Sequence, residues 1–333
     1  MKIVSVVGRF FCAPLASAVF ASLVPLAAQQ RAESELSVLP IRGGLYMISG
    51  PTSNTTVQVG RDGVLIVDTQ TESFSDTLLA QIRALSDRPI RMIVNTTSAA
   101  DHIGGNAALK KAGQTLAGGN QRSAVIYGTG GSPIYAHENV LTRLTQAGGD
   151  SSAWPTDTYF VAQKDMFFNG EPVQLMHVPS AHSDGDSLVV FRRTDVISVG
   201  NIYTPGRYPL IDVERGGTID GIVSALNRVI ELTVPEFNEQ GGTMVVPGRG
   251  HLADEADVAE YRDMVTIVRD RVRDMVNKGM TLEQVKASKP TADYDVVYGV
   301  REGQAFIEAA YRTLTPAKPA PAPTRNKPSG GSK

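Results

Sequence analysis

The chain has 333 residues, 42% of them hydrophobic and 20% charged, and a formal net charge of −2. That length and apolar content exclude a chain disordered throughout, and the near-neutral charge gives no electrostatic reason to expect a nucleic-acid partner. Cys12 is the one cysteine, so a disulfide framework and a cysteine-ligated metal site are excluded as well.

At the N-terminus Lys2 and Arg9 precede or open an uncharged stretch, Phe10 to Ala28, that ends in small residues. This is the layout of a secretory signal over residues 1–28, which predicts cleavage near Ala28 and a periplasmic or extracellular mature protein. A retained membrane anchor is the alternative. Pro14, Pro25 and the Leu26-Ala27-Ala28 end favour cleavage, and hence no stable membrane span afterwards. Cys12 would leave with the signal.

After a polar linker near 29–35, three short runs rich in β-branched residues follow, Leu45 to Ile48, Thr55 to Val59 and Val64 to Val67. Gly-Pro and Arg-Asp-Gly turn signals separate them, the pattern of a hairpin series. The third run ends in Asp68. Residues 71–86 carry Leu78, Leu79, Ile82 and Leu85 on one helical face. Arg91 to Val94 reads as a buried strand, and it delivers Asn95-Thr96-Thr97-Ser98-Ala99-Ala100-Asp101-His102-Ile103-Gly104-Gly105-Asn106 into a further helix.

A glycine-rich connection from Ala117 to Gly131 reads either as an anion cradle or as a plain linker. Tyr135 to Val140 reads as the start of a helix, with His137 as a capping or surface residue. Trp154 reads as the wall of a cleft or as the edge of the core. A second β series comprises Met166 to Phe168, Val173 to Val178, Ser187 to Phe191 and Val196 to Val199. His177 on it reads as a packed or capping histidine.

Between these strands lies Ala181-His182-Ser183-Asp184-Gly185-Asp186, and after them come Gly200-Asn201 and Pro247-Gly248-Arg249-Gly250-His251. Asp186 reads as the residue that ties its own turn down. Helical spacing governs 218–232, 258–275 and 306–314, and Thr281 to Gln284 has the spacing of a capping box. From 315 to 333 the chain is rich in Pro, Ala, Lys, Gly and Ser, a composition that predicts a disordered tail.

The Asp101-His102-x-Gly-Gly-Asn106 loop after a strand, the His182 turn and the Pro247-Gly248-x-Gly250 loop, in this order, resemble the metallo-β-lactamase superfamily. The resemblance implies an αββα metallo-β-lactamase sandwich over 29–255, completed by a C-terminal helical extension over 256–314. It makes Asp68 a brace for the metal loop.

The resemblance also implies a zinc-ligand set that this chain only partly keeps. Asp101, His102 and His182 stand at ligand positions with a ligating residue type. Thr97, Ala99, Asn201 and Arg249 stand at the other four, where the family places three histidines and a bridging aspartate. An arginine offers donors only and repels a dication. His251, two residues beyond Arg249, is a candidate displaced ligand, and Asp101, His102 and His182 form a candidate residual metal or catalytic set.

The expectation is therefore no metal or a single weakly bound zinc, and a small-molecule ligand or substrate in the cleft. The main reading is an exported, hydrolase-like member acting through binding. The alternatives are a hydrolase of the ester, lactam or thioester class that works with one metal or none, and an interaction module docked through its C-terminus. In the emptied site Asp101 needs a cation, and the family's topology brings Arg249 to it.

Overall fold

A computed structural model describes residues 36–115, 131–235, 237 and 241–316. The expected signal, the glycine-rich connection up to residue 130 and the tail beyond 316 lie outside the described residues. Among those described, no helix is long and apolar enough to cross a membrane.

The first sheet holds β1 (Ser37–Pro40), β2 (Leu45–Ser49), β3 (Asn54–Gly60), β4 (Gly63–Val67), β5 (Ile90–Val94), β6 (Ile134–His137) and β7 (Asp157–Tyr159), in that order. Neighbours are antiparallel as far as β4 and parallel from β4 to β7. The parallel half requires crossovers, supplied in part by helices α1 (Ser75–Leu85), α2 (Ala100–Ile103), α3 (Asn106–Ala112) and α4 (Glu138–Ala147).

The second sheet is ordered β12 (Met244–Val246), β11 (Val196–Ser198), β10 (Ser187–Phe191), β9 (Glu171–His177) and β8 (Gln163–Phe168). Its pairings are antiparallel except for β11 with β12, which is parallel. Helices α5 (Ile219–Leu232), α6 (Glu255–Asn277), α7 (Leu282–Ala287), α8 (Asp295–Tyr298) and α9 (Val300–Leu314) follow or interleave with it.

Strand alternation builds the layers. In β4, Leu65 and Val67 point between the sheets, toward Val189 and Phe191 of β10, whereas Val64 and Ile66 point outward onto Leu78 and Ile82 of α1. In β10, Leu188 and Val190 face the other way, into a cluster with Ile222 and Leu226 of α5, Val265 and Val268 of α6, and Phe306 of α9. Both strands are buried on both faces, which is why they read as unbroken apolar runs. Burying each such side chain contributes about 1.5–3 kcal/mol relative to leaving it exposed. The result is the expected αββα sandwich, with the C-terminal helices packed on the second sheet.

Some local readings need correction. Tyr135 to His137 belong to a strand, β6, and the helix starts only at Glu138 with His137 as its cap. A 3-10 turn, Glu72–Phe74, precedes α1, so the regular helix begins at Ser75 rather than at residue 71. The short strands β1 and β7, largely exposed, carry no apolar alternation and were not expected. The capping box at Thr281 and Gln284 is present as its spacing predicts.

Candidate functional site

The candidate residues sit where strands end at one edge of the sandwich. Asp68 follows β4, Thr96 to His102 follow β5, Asn201 follows β11, and Arg249 follows β12. The β5 loop is tied at both ends. Asn95 and Asn106 exchange side-chain hydrogen bonds of 3.1 and 2.8 Å, and the Thr69 hydroxyl donates to Asn106 Oδ1 at 2.9 Å. The glycine at 105 is demanded by close approach, because a Cβ there would lie 2.4 Å from the Thr69 carbonyl oxygen.

Asp68 is the hub of this loop. Its carboxylate accepts the Thr96 amide at 2.8 Å, the Thr96 hydroxyl at 2.6 Å and His102 Nδ1 at 2.8 Å. Asp68 itself adopts φ +61°, a left-handed conformation that aims the side chain back at the loop.

His102 is fully buried, and both its ring nitrogens are engaged, Nδ1 with Asp68 and Nε2 with Asn201 Oδ1 at 2.9 Å. The Asp68 carboxylate is an acceptor, so Nδ1 carries a proton and donates to it. Burial alone would push its pKa down. The charge of Asp68 and its hydrogen bond, with Asp101 and Asn201 adding to them, outweigh burial and hold the pKa above the ordinary histidine value.

Arg249 Nη2 donates to Asp101 Oδ2 at 2.5 Å, and the same oxygen lies 3.6 Å from His102 Nε2. The side chains are 31% and 17% exposed, so the pair is partly desolvated and stronger than a surface ion pair. Two carboxylates, Asp68 and Asp101, thus meet the His102 ring and the Arg249 guanidinium.

His182 is buried and its Nδ1 donates to the Leu210 carbonyl at 2.7 Å. Its turn is held as expected by Asp186, whose oxygens accept the Ser183 amide at 2.6 Å and the Ser183 hydroxyl at 2.8 Å. Burial pushes the Asp186 carboxyl above its ordinary range, against the opposing pull of His182 and Ser183. Thr97 is buried, Ala99 is the residue before α2, and His251 is exposed.

The donor set can be tested against the zinc that the family implies. Among the described residues, no three His, Cys, Asp or Glu side chains form a group able to hold a metal ion. His251 therefore does not join Asp101 and His102, and His182 does not complete a set with them. His102 Nε2, the nitrogen not bonded to Asp68, is engaged by the Asn201 side chain at 2.9 Å, and a guanidinium occupies Asp101. As they are placed among the described residues, Asp101, His102 and His182 do not converge on one point as three zinc ligands would.

His137 and His177 are brought together as well. Their rings stack at 3.6 Å with a 4° interplanar angle, joining β6 of one sheet to β9 of the other. His177 Nε2 donates to the Asp184 carbonyl at 2.9 Å, and His137 Nδ1 accepts the Asn139 amide. Both are packed or capping residues, as their positions suggested. Trp154 is partly buried beside the 3-10 turn Ser151–Ala153.

Two residues of the site had no local signal in the sequence. Ser53 Oγ donates to the Asp101 carbonyl at 2.5 Å, and the Asn54 side chain donates to the carbonyls of Pro247 and Gly250 at 3.0 and 2.9 Å.

With this geometry established, comparison with known proteins places the chain. Residues 49–269 match the family model described as the metallo-beta-lactamase superfamily. A linear primary-alkylsulfatase of Pseudomonas sp. (strain ATCC 19151) is 26% identical over 265 residues, which is 70% of this chain and 50% of that protein. The stereoselective inverting sec-alkylsulfatase Pisa1 of Pseudomonas sp. superposes with a TM-score of 0.60 at 15% identity, over 83% of this chain and 50% of that one. A metallo-beta-lactamase from Pontibacter korlensis gives 0.54 at 15% identity, over 70% of this chain and 99% of that one. The chain spans about half the length of both alkylsulfatases.

Proposed function

The chain belongs to the metallo-beta-lactamase superfamily, a hydrolase fold, and from that premise we propose that it is an exported member that binds a small organic ligand in the family's cleft without dinuclear zinc chemistry. The observation that carries this reading is the Arg249 guanidinium on Asp101 at 2.5 Å.

A fixed monocation there repels a dication and already neutralises the carboxylate that would have held it. Water activation by this set would need a metal or a base with an available lone pair. Asp101 Oδ2 is engaged by Arg249, both nitrogens of His102 are engaged in a ring without solvent exposure, and His182, whose Nδ1 donates to the Leu210 carbonyl and whose Nε2 carries the lone pair, is buried. What the site does offer is Arg249, 31% exposed, with a single one of its N–H groups committed to Asp101. Those donors suit an oxyanion. The relatives are named as alkylsulfatases, and the ester anion implied by that name has such an oxyanion head. The ligand class we propose is therefore a small organic anion. Export rests on the sequence of residues 1–28.

Dialysis of the purified mature protein against trace zinc, followed by elemental analysis, tests the reading. Zinc far below one equivalent is expected, and one or two equivalents retained would overturn it.

A further inference from the structure

We infer that Asn54, assisted by Ser53, is the positioning residue that holds Arg249 onto Asp101. The inference deepens the metal-free reading above and rests on it in one respect, that the ion pair is the working arrangement of the site.

The turn between β2 and β3 closes on itself through the Gly50 amide and the Ser53 carbonyl at 3.0 Å, which presents Ser53 and Asn54 side by side at the start of β3. Both are buried, 0% and 3% exposed. From that point the turn reaches both halves of the ion pair. Ser53 Oγ donates to the backbone carbonyl of Asp101 itself, 48 positions away. Asn54 donates three times to the Arg249 loop: its amide to Gly248 O at 2.8 Å, and its Nδ2 to Pro247 O at 3.0 Å and Gly250 O at 2.9 Å.

Three donors on one residue thus fix the carbonyls at positions −2, −1 and +1 relative to Arg249. Because Nδ2 faces two acceptors, the amide orientation is forced; the opposite orientation would set Oδ1 against two carbonyl oxygens. Asn54 Oδ1 is buried without a hydrogen-bond partner. An unsatisfied buried oxygen costs on its own, which is consistent with a side chain retained here for its donors. The Pro-Gly-x-Gly backbone has little stiffness at its glycines, so where the Arg249 head group lies depends on such outside bonds. Asn54 is thereby a positioning residue and not one that contacts a ligand.

Two substitutions separate the parts of this argument. Asn54→Asp keeps the size of the side chain and the backbone donation to Gly248 but removes both Nδ2 donors; Asn54→Ala removes the side chain. Side-chain NMR of arginine Nη–Hη groups gives the readout, with Arg249 identified by the signal missing from Arg249→Lys and Arg143, whose Nη2 is paired with Asp184 at 2.6 Å, as the internal control. In either folded variant the Arg249 resonance is expected to move to the position of a free arginine while that of Arg143 stays. An unmoved Arg249 resonance overturns the inference.

Should both variants fail to fold, the wild type decides. The Asn54 side-chain NH2 protons are expected to exchange with solvent as slowly as core amides, and fast exchange overturns the inference. Zinc uptake by the wild type would defeat the metal-free reading separately and would leave these NMR results to be judged on their own.

Discussion

At position 249 the choice between an imidazole and a guanidinium sets the sign of the site. With arginine there, Asp101 has its counter-charge at 2.5 Å in a pocket that leaves the carboxylate 17% exposed. Arg249→Ala strands that carboxylate, and the expected loss is about 1–3 kcal/mol, between the values for exposed and buried pairs. Urea denaturation of wild type and variant measures it. Restoring the family's residues with Thr97→His, Ala99→His, Asn201→Asp and Arg249→His together is expected to raise zinc affinity at least tenfold by calorimetry. A folded quadruple variant with no gain would show that the supporting shell has drifted too. The meeting of Arg249 with Asp101 was legible in the sequence, because two recognisable loops fix both positions and a buried carboxylate needs a cation. Asn54 was not legible, since its partners are backbone carbonyls about 195 positions away and its neighbours read as an ordinary strand.

Among the elements, the joint between β6 and α4 carries the clearest pH signature. Burial, and then the neighbouring His177, push the His137 pKa down to about 4, against a weaker opposing pull from Asp184. A base with a depressed folded pKa keeps its full stabilisation above the ordinary histidine value near 6.5 and loses it as pH falls from there toward 4. Thermal melts of His137→Asn, which keeps a capping acceptor, are expected to fall less steeply than wild type between pH 6.5 and 4; parallel slopes would contradict this assignment. The same joint shows why one reading failed. A four-residue strand running straight into a helix through its own cap has too few residues to display a period of two, so Tyr135 to His137 took on the helix's pattern. Strands β4 and β10, buried on both faces, were legible as apolar runs bounded by turns.

For the whole molecule, the αββα layering was readable because the loops after β5, β9 and β12 keep their order and their glycines even where the ligands changed. That contrast is physical: the backbone turns depend on Gly104, Gly105, Gly248 and Gly250, whereas the metal depends on side chains that can be exchanged without altering the turns. The proposed export adds a prediction at this scale. Mass spectrometry of the protein made in a secreting host is expected to find an N-terminus just after Ala28, and a chain that retains residues 1–28 would contradict the leader assignment.

A crystal grown in excess zinc and measured at the zinc absorption edge decides whether Arg249 stands in for a metal at Asp101. No anomalous peak at the site and an Arg249 head group on Asp101 are expected. An anomalous peak beside Asp101 and His102, with Arg249 swung away, would contradict that role.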